Sequence, residues 1–175
     1  FGLPLEDKIS GTDAPAPGRR NMLSVFTYYA DFIYPIRNLP GNIIIKDCEC
    51  ENIDRVVNFD YSGHNRWQCN RPLSSLFIEN TKIKQVRIPI YLYGDREEPV
   101  RFEMKNSSVS YEEPVDRLIY ACNCAAITLS DVAIEGVKGE LGKSWGNVGD
   151  IRCENVSGAK IAEAEATEEW NFPVV

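Results

Sequence analysis

The stretch 42-NIIIKDCECENI-53 alternates apolar and polar residues as a strand does, then breaks step at Lys46-Asp47-Cys48. Whether the break recurs decides the fold, because a single break is a strand end and a repeated one is a corner. Four later stretches repeat it: 76-LFIENTKI-83, 102-FEMKNSSV-109, 127-ITLSDVAI-134 and 151-IRCENVSG-158. Each reads apolar, any, apolar, polar, Asn or Asp, then two variable residues and usually an apolar one. The Asn/Asp positions are Asp47, Asn80, Asn106, Asp131 and Asn155, separated by 33, 26, 25 and 24 residues.

A parallel β-helix accounts for this repeat. Period-2 alternation puts Ile43 and Ile45, Leu76 and Ile78, Phe102 and Met104, Ile127 and Leu129, and Ile151 and Cys153 on one buried face. Asn or Asp then makes the corner, since both tolerate the left-handed conformation and can hydrogen-bond their own backbone. Past the corner, Cys48, Thr81, Ser107, Val132 or Val156 is expected to point inward. Further apolar matches lie ten residues past the first (Ile53, Val86, Val137) and fourteen past it (Val57, Ile90, Leu141). The third coil misses this phase because 112-EEPVD-116 adds about three residues. No helical periodicity runs through 41–158. The predicted fold is all-β, a parallel β-helix solenoid of about five to six coils over 41–158. An irregular N-terminal segment or cap (1–40) precedes it, and a C-terminal helix or cap (159–175) follows. Such covers are expected because an open rung is an unpaired sheet edge.

Bulk properties narrow the partners. The net charge of −7 and pI near 4.8 argue against nucleic acid and against an anionic membrane surface. No apolar run approaches the ~18 residues of a membrane span, so no membrane partner is expected. The start at Phe1, without an initiator Met or a signal region, reads as a processed end or a cut through a longer chain.

Cys48-Glu49-Cys50 and Cys122-Asn123-Cys124 invite a metal reading. Their register instead puts Cys48, Cys50 and Cys153 where other coils carry core residues, so packing is favoured over zinc or a disulfide. No metal and no cofactor are expected. The sequons 106-NSS-108 and 155-NVS-157 fall on corner asparagines, where service to the backbone is the plainer role. A Ca²⁺ site from Asp95, Glu97 and Glu98 competes with an ordinary acidic turn.

One surface stands out. The segments 60–72, 93–100, 120–126 and 143–150 follow the same wall of successive coils, and solenoid insertions at one repeat position stack on one face. That face carries Asp60, His64, Arg66, Trp67, Arg71, Tyr93, Asp95, Arg96, Lys143 and Trp145. Trp and Tyr offer flat surfaces to sugar rings, and Arg pairs carboxylates, which suits a uronate-containing oligosaccharide or polysaccharide. The competing reading is that the Trp residues cover the rim and the charges pair with one another.

The patterns 42-NIIIKDCECENI-53, 127-ITLSDVAIEGV-137 and 150-DIRCENVSG-158 resemble the C-terminal coils of right-handed parallel β-helix, pectin-degrading enzymes. The likeness is to polygalacturonase-type glycoside hydrolases (family 28-like) over about 41–158. Handedness comes from this resemblance, not from periodicity. The resemblance implies hydrolysis of galacturonan by aspartates, an adjacent Gly-His-Gly and an Arg-x-Lys element. Here Gly63-His64 is followed by Asn65, no Asp-Asp occurs and Arg-x-Lys is missing, so no catalytic residue carries over. Two accounts follow: part of a larger hydrolase, or a non-catalytic β-helix acting as a binding or structural module. A third makes Asp60, Asp95 and His64 an acid–base set. Pectin activity would imply a secreted or cell-surface protein, and a cytoplasmic one remains open.

Overall fold

The structure, a computed structural model, describes residues 22–24, 41–60, 73–94, 97–139 and 141–158. Among these residues there are ten strands and no helix. They are β1 (Leu23–Ser24), β2 (Gly41–Lys46), β3 (Glu49–Glu51), β4 (Val57–Asp60), β5 (Leu73–Glu79), β6 (Lys82–Val86), β7 (Ile90–Tyr93), β8 (Val100–Val115), β9 (Ile119–Val137) and β10 (Gly142–Ser157). Every strand pairing is parallel.

The strand segments stack in three rows. The first holds 41–46, 73–79, 100–105, 124–130 and 148–154. The second holds 49–51, 82–86, 108–111, 132–135 and 156–157. The third holds 23–24, 57–60, 90–93, 119–122 and 142–145. The chain visits the rows in that order and returns to the first one strand spacing further on, ~4.8 Å away. One parallel sheet therefore curls in a solenoid-like way, and each visit to the three rows is one coil.

The corner between the first and second rows is where the sequence breaks step. Asp47, Asn80, Asn106, Asp131 and Asn155 all have left-handed φ, between 46° and 55°. A corner takes backbone groups out of the ladder, and each needs another partner. Thr81 Oγ1 donates to Glu79 O (2.8 Å), and Ser107 Oγ donates to Lys105 O (2.7 Å). Ser107 Oγ also accepts from Thr81 N of the preceding coil (3.1 Å). Outside the corner, Asn80 Nδ2 donates to Asp47 Oδ1 and Asn155 Nδ2 to Asp131 Oδ1, each at 3.0 Å.

A second left-handed column lies five residues further on, at Asn52, Gln85 and Gly136. Sequence reasoning did not anticipate it, because its members share no side-chain type. Gly136 (φ 85°) is required there for a second reason: a Cβ would stand 3.0 Å from Cβ of Tyr111 in the coil below. In that coil the insertion at 112-EEPVD-116 has the predicted size. Ser110 pairs with Glu135 and Val115 with Val137, so five residue steps face two and three residues are extra.

The core lines the inside of all three rows. Leu76, Ile78, Phe102, Met104, Ile127 and Leu129 are buried in the first, as expected. Ile83, Val86, Val109, Val132 and Ile134 fill the second, and Val57, Ile90, Leu92, Ile119 and Ala121 the third. Each fully buried side chain of this size contributes roughly 1.5–3 kcal/mol. Two inward positions differ from expectation. Cys48 is exposed, and Ile151 is 39% exposed although it pairs with Ile127, which is buried. Ile151 lies on an end strand of its row and Cys48 at the corner between the end strands β2 and β3, where among the described residues a neighbour covers only one side. The remainder of 1–40 outside 22–24, and all of 159–175, lie outside the described residues.

Candidate binding face

The corner leaving the third row is built by register. Asp60 pairs with Tyr93, Tyr93 with Cys122, and Cys122 with Trp145, so four successive coils depart from one column. Before returning to the first row, the chain inserts residues 61–72 in the first coil and 94–99 in the second. The third coil turns on Asn123 alone, with φ 51°. Its Nδ2 donates to Gly94 O (3.1 Å), while Gly94 N donates to Cys122 O (2.8 Å). Gly94 must be glycine, since a Cβ there would collide with Asn123 O and stand 2.9 Å from Val100 N. Strands β4 and β7 thus end at corresponding points, whereas 120–126 and 143–150 run on within β9 and β10.

Two residues before that column, Asn58, Tyr91, Tyr120 and Lys143 form another. The rings of Tyr91 and Tyr120 stack, with centroids 5.0 Å apart and planes 7° from parallel. Burial pushes both hydroxyl pKa values up. The Tyr120 ring adds to the rise at Tyr91, Arg55 opposes it there, and Arg117 opposes it at Tyr120. In-register stacking makes each ring cover one face of the other.

Charges alternate along the corner that enters the third row. Asp54, Arg87, Asp116 and Lys138 occupy equivalent positions of four coils, fixed by Ile88 N–Asp54 O, by the Ile90–Ile119 pairing and by Gly139 N–Asp116 O. Asp54 is fully buried, with Oδ1 accepting from Arg87 Nε at 2.6 Å and Arg55 Nε 3.8 Å from Oδ2. Sequence reasoning missed Asp54, Arg87, Tyr91 and Tyr120. The signal was present, since Arg87 follows Asp54 by the same 33 residues that separate Asn80 from Asp47.

Of the residues predicted for this face, Asp60, Tyr93 and Trp145 share the departing column as backbone positions, with Lys143 two residues before Trp145. His64, Arg66, Trp67, Arg71, Asp95 and Arg96 lie outside the described residues. No group of three or more His, Cys, Asp or Glu residues among the described ones converges to hold a metal ion. Glu97 and Glu98 are exposed. Cys48, Cys50, Cys122, Cys124 and Cys153 are free thiols, and Cys69 is outside the described residues. Burial pushes the Cys124 thiol up to about 12, as suits a core residue. No helix among the described residues is long and apolar enough to cross a membrane. Comparison with protein-family models, with curated proteins and with solved structures gave no match.

Proposed function

We propose that the chain is a right-handed parallel β-helix forming part of a polygalacturonase-like carbohydrate-active protein, and that it supplies a binding face rather than catalytic carboxylates. The observation that supports this reading is the column Asp60–Tyr93–Cys122–Trp145, which sets corresponding points of four successive coils in register. Right-handedness has independent support, because crossovers between parallel strands of one sheet are right-handed in about 98% of cases. The ligand is a uronate-containing oligosaccharide, its rings against Trp67 and Trp145 and its carboxylates toward Arg66 and Arg71.

A structural or interaction module is the second reading. It is favoured by the Tyr91–Tyr120 stack and the Asp54–Arg87 pair, which join neighbouring coils to one another. Titration with oligogalacturonates, run beside a reducing-sugar assay, separates the two. The binding reading expects micromolar-to-millimolar affinity without sugar release, weakened several-fold by Trp67→Ala or Arg71→Ala. Unchanged affinity in those variants would put the ligand elsewhere, and no binding at all would leave the scaffold reading. A native polypeptide well above 19.8 kDa would place catalytic coils in the same protein.

A further inference from the structure

Five corner residues share one backbone conformation, yet their side chains are not equally committed. Asn80 and Asn155 each donate their amide to the carboxylate of a stacked Asp, so Asp47–Asn80 and Asp131–Asn155 form two closed pairs. Asn106 stands between them with left-handed φ (46°), is exposed, and makes no side-chain hydrogen bond among the described residues. It is also the first residue of 106-NSS-108, one of two acceptor sequons in the chain; the other begins at the committed Asn155. The strand that follows Asn106 is pinned by Ser107, which donates to Lys105 O and accepts from Thr81 N. The Asn106 amide is therefore held at an outer corner with nothing to give up.

We infer that Asn106 is an N-linked glycan acceptor and that Asn155 is not. The donor class is an oligosaccharide linked through pyrophosphate to a lipid. The Asn106 Nδ2 bonds to C1 of its terminal sugar, the bond from C1 to the pyrophosphate oxygen breaks, and the lipid pyrophosphate leaves with that electron pair. The amide loses one proton, and nothing is oxidised or reduced. A glycan there projects from the corner between the first and second rows, away from the departing column of the candidate face. At Asn155 the sugar would have to be accommodated beside Asp131, on the nitrogen that holds the pair together. The inference rests on the proposed function for its compartment only, since pectin activity implies a secreted or cell-surface protein.

The test is peptide mass spectrometry on the protein isolated from the organism that makes it. Trypsin cuts after Lys105, Arg117, Arg152 and Lys160, so the two sequons fall in separate peptides, 106–117 and 153–160. The expected result is an amidase-sensitive glycan mass on 106–117, lost in Ser108→Ala, with 153–160 unmodified. A bare 106–117 peptide, or a glycan on 153–160, overturns the inference. A second measurement needs no glycan: Asn106→Ala and Asn155→Ala carry the same left-handed strain, but only Asn155→Ala also breaks a side-chain hydrogen bond, so it should lower Tm further. Equal losses in the two variants would show that Asn106 is committed after all and would overturn the distinction. Glycan mass is read independently of sugar binding, so absence of oligogalacturonate affinity with Asn106 occupied would fault the functional reading and spare this one.

Discussion

A left-handed backbone costs an L-residue roughly 1–2 kcal/mol unless it is Gly, Asn or Asp. Nine of the ten left-handed residues described are of those three types, and Gln85, with φ 54°, is the exception. Gln85→Asn should therefore raise stability by about 0.5–1 kcal/mol, seen as a higher denaturant midpoint with unchanged slope. An unchanged midpoint would mean that the longer side chain makes contacts worth as much as the strain. Cysteine chemistry is also decided residue by residue. Cys48 is exposed and Cys124 buried, so a thiol reagent should titrate Cys48 rapidly and reach Cys124 only on unfolding. Removal of one fast-reacting thiol in Cys48→Ala checks the assignment. The raised Cys124 pKa has a defined sign. Between its ordinary value of 9.0 and about 12, the unfolded chain loses the proton while the folded chain keeps it. Stability from this group is thus intact below pH 9 and falls above it by about 1.4 kcal/mol per pH unit. Cys124→Ala should flatten that alkaline slope.

At the scale of elements, coils are joined by register-specific contacts as well as by the ladder. The buried carboxylate of Asp54 meets Arg87 of the next coil, and Lys46 meets Glu79 on the outer face at 3.0 Å. The second of these is exposed and contributes little. The first is different, because loss of Arg87 would leave a charge with no access to water and loss of Asp54 removes a buried acceptor. Asp54→Asn should cost about 2 kcal/mol, below the 3–5 typical of fully buried pairs since Arg87 is 41% exposed. Amide exchange should quicken first at Arg87 and Ile88, whose N–H groups bond Ile53 O and Asp54 O. Uniform acceleration across all coils would argue that the pair holds the whole stack rather than this joint.

At the scale of the whole stack, each coil among the described residues pairs only with its neighbours, so its stability is a sum of coil and interface contributions. Coils with neighbours on both sides bury Leu76, Ile78, Phe102, Met104 and Leu129 almost completely, whereas Ile43, Ile45, Cys153 and Val156 at the ends are half-buried. Hydrogen exchange should rank accordingly, with the slowest amides in 73–134 and faster ones in 41–51 and 151–157. A flat profile would mean that the stack opens only as a whole.

The sequence alone determined the first-row core, the five corners and the three-residue insertion, because period-2 burial and left-handed tolerance are local properties written in residue type. It placed Asp60, Tyr93 and Trp145 at corresponding points of their coils for the same reason. The exposure of Cys48 and Ile151 was decided by tertiary structure, since a position's burial depends on whether a strand stacks on both sides of it. So too were the Asp54–Arg87 pair and the Tyr91–Tyr120 stack, whose partners lie about one coil apart and meet only when the sheet curls. Gln85 and Gly136 share a corner without sharing any chemistry, so only the backbone could reveal it.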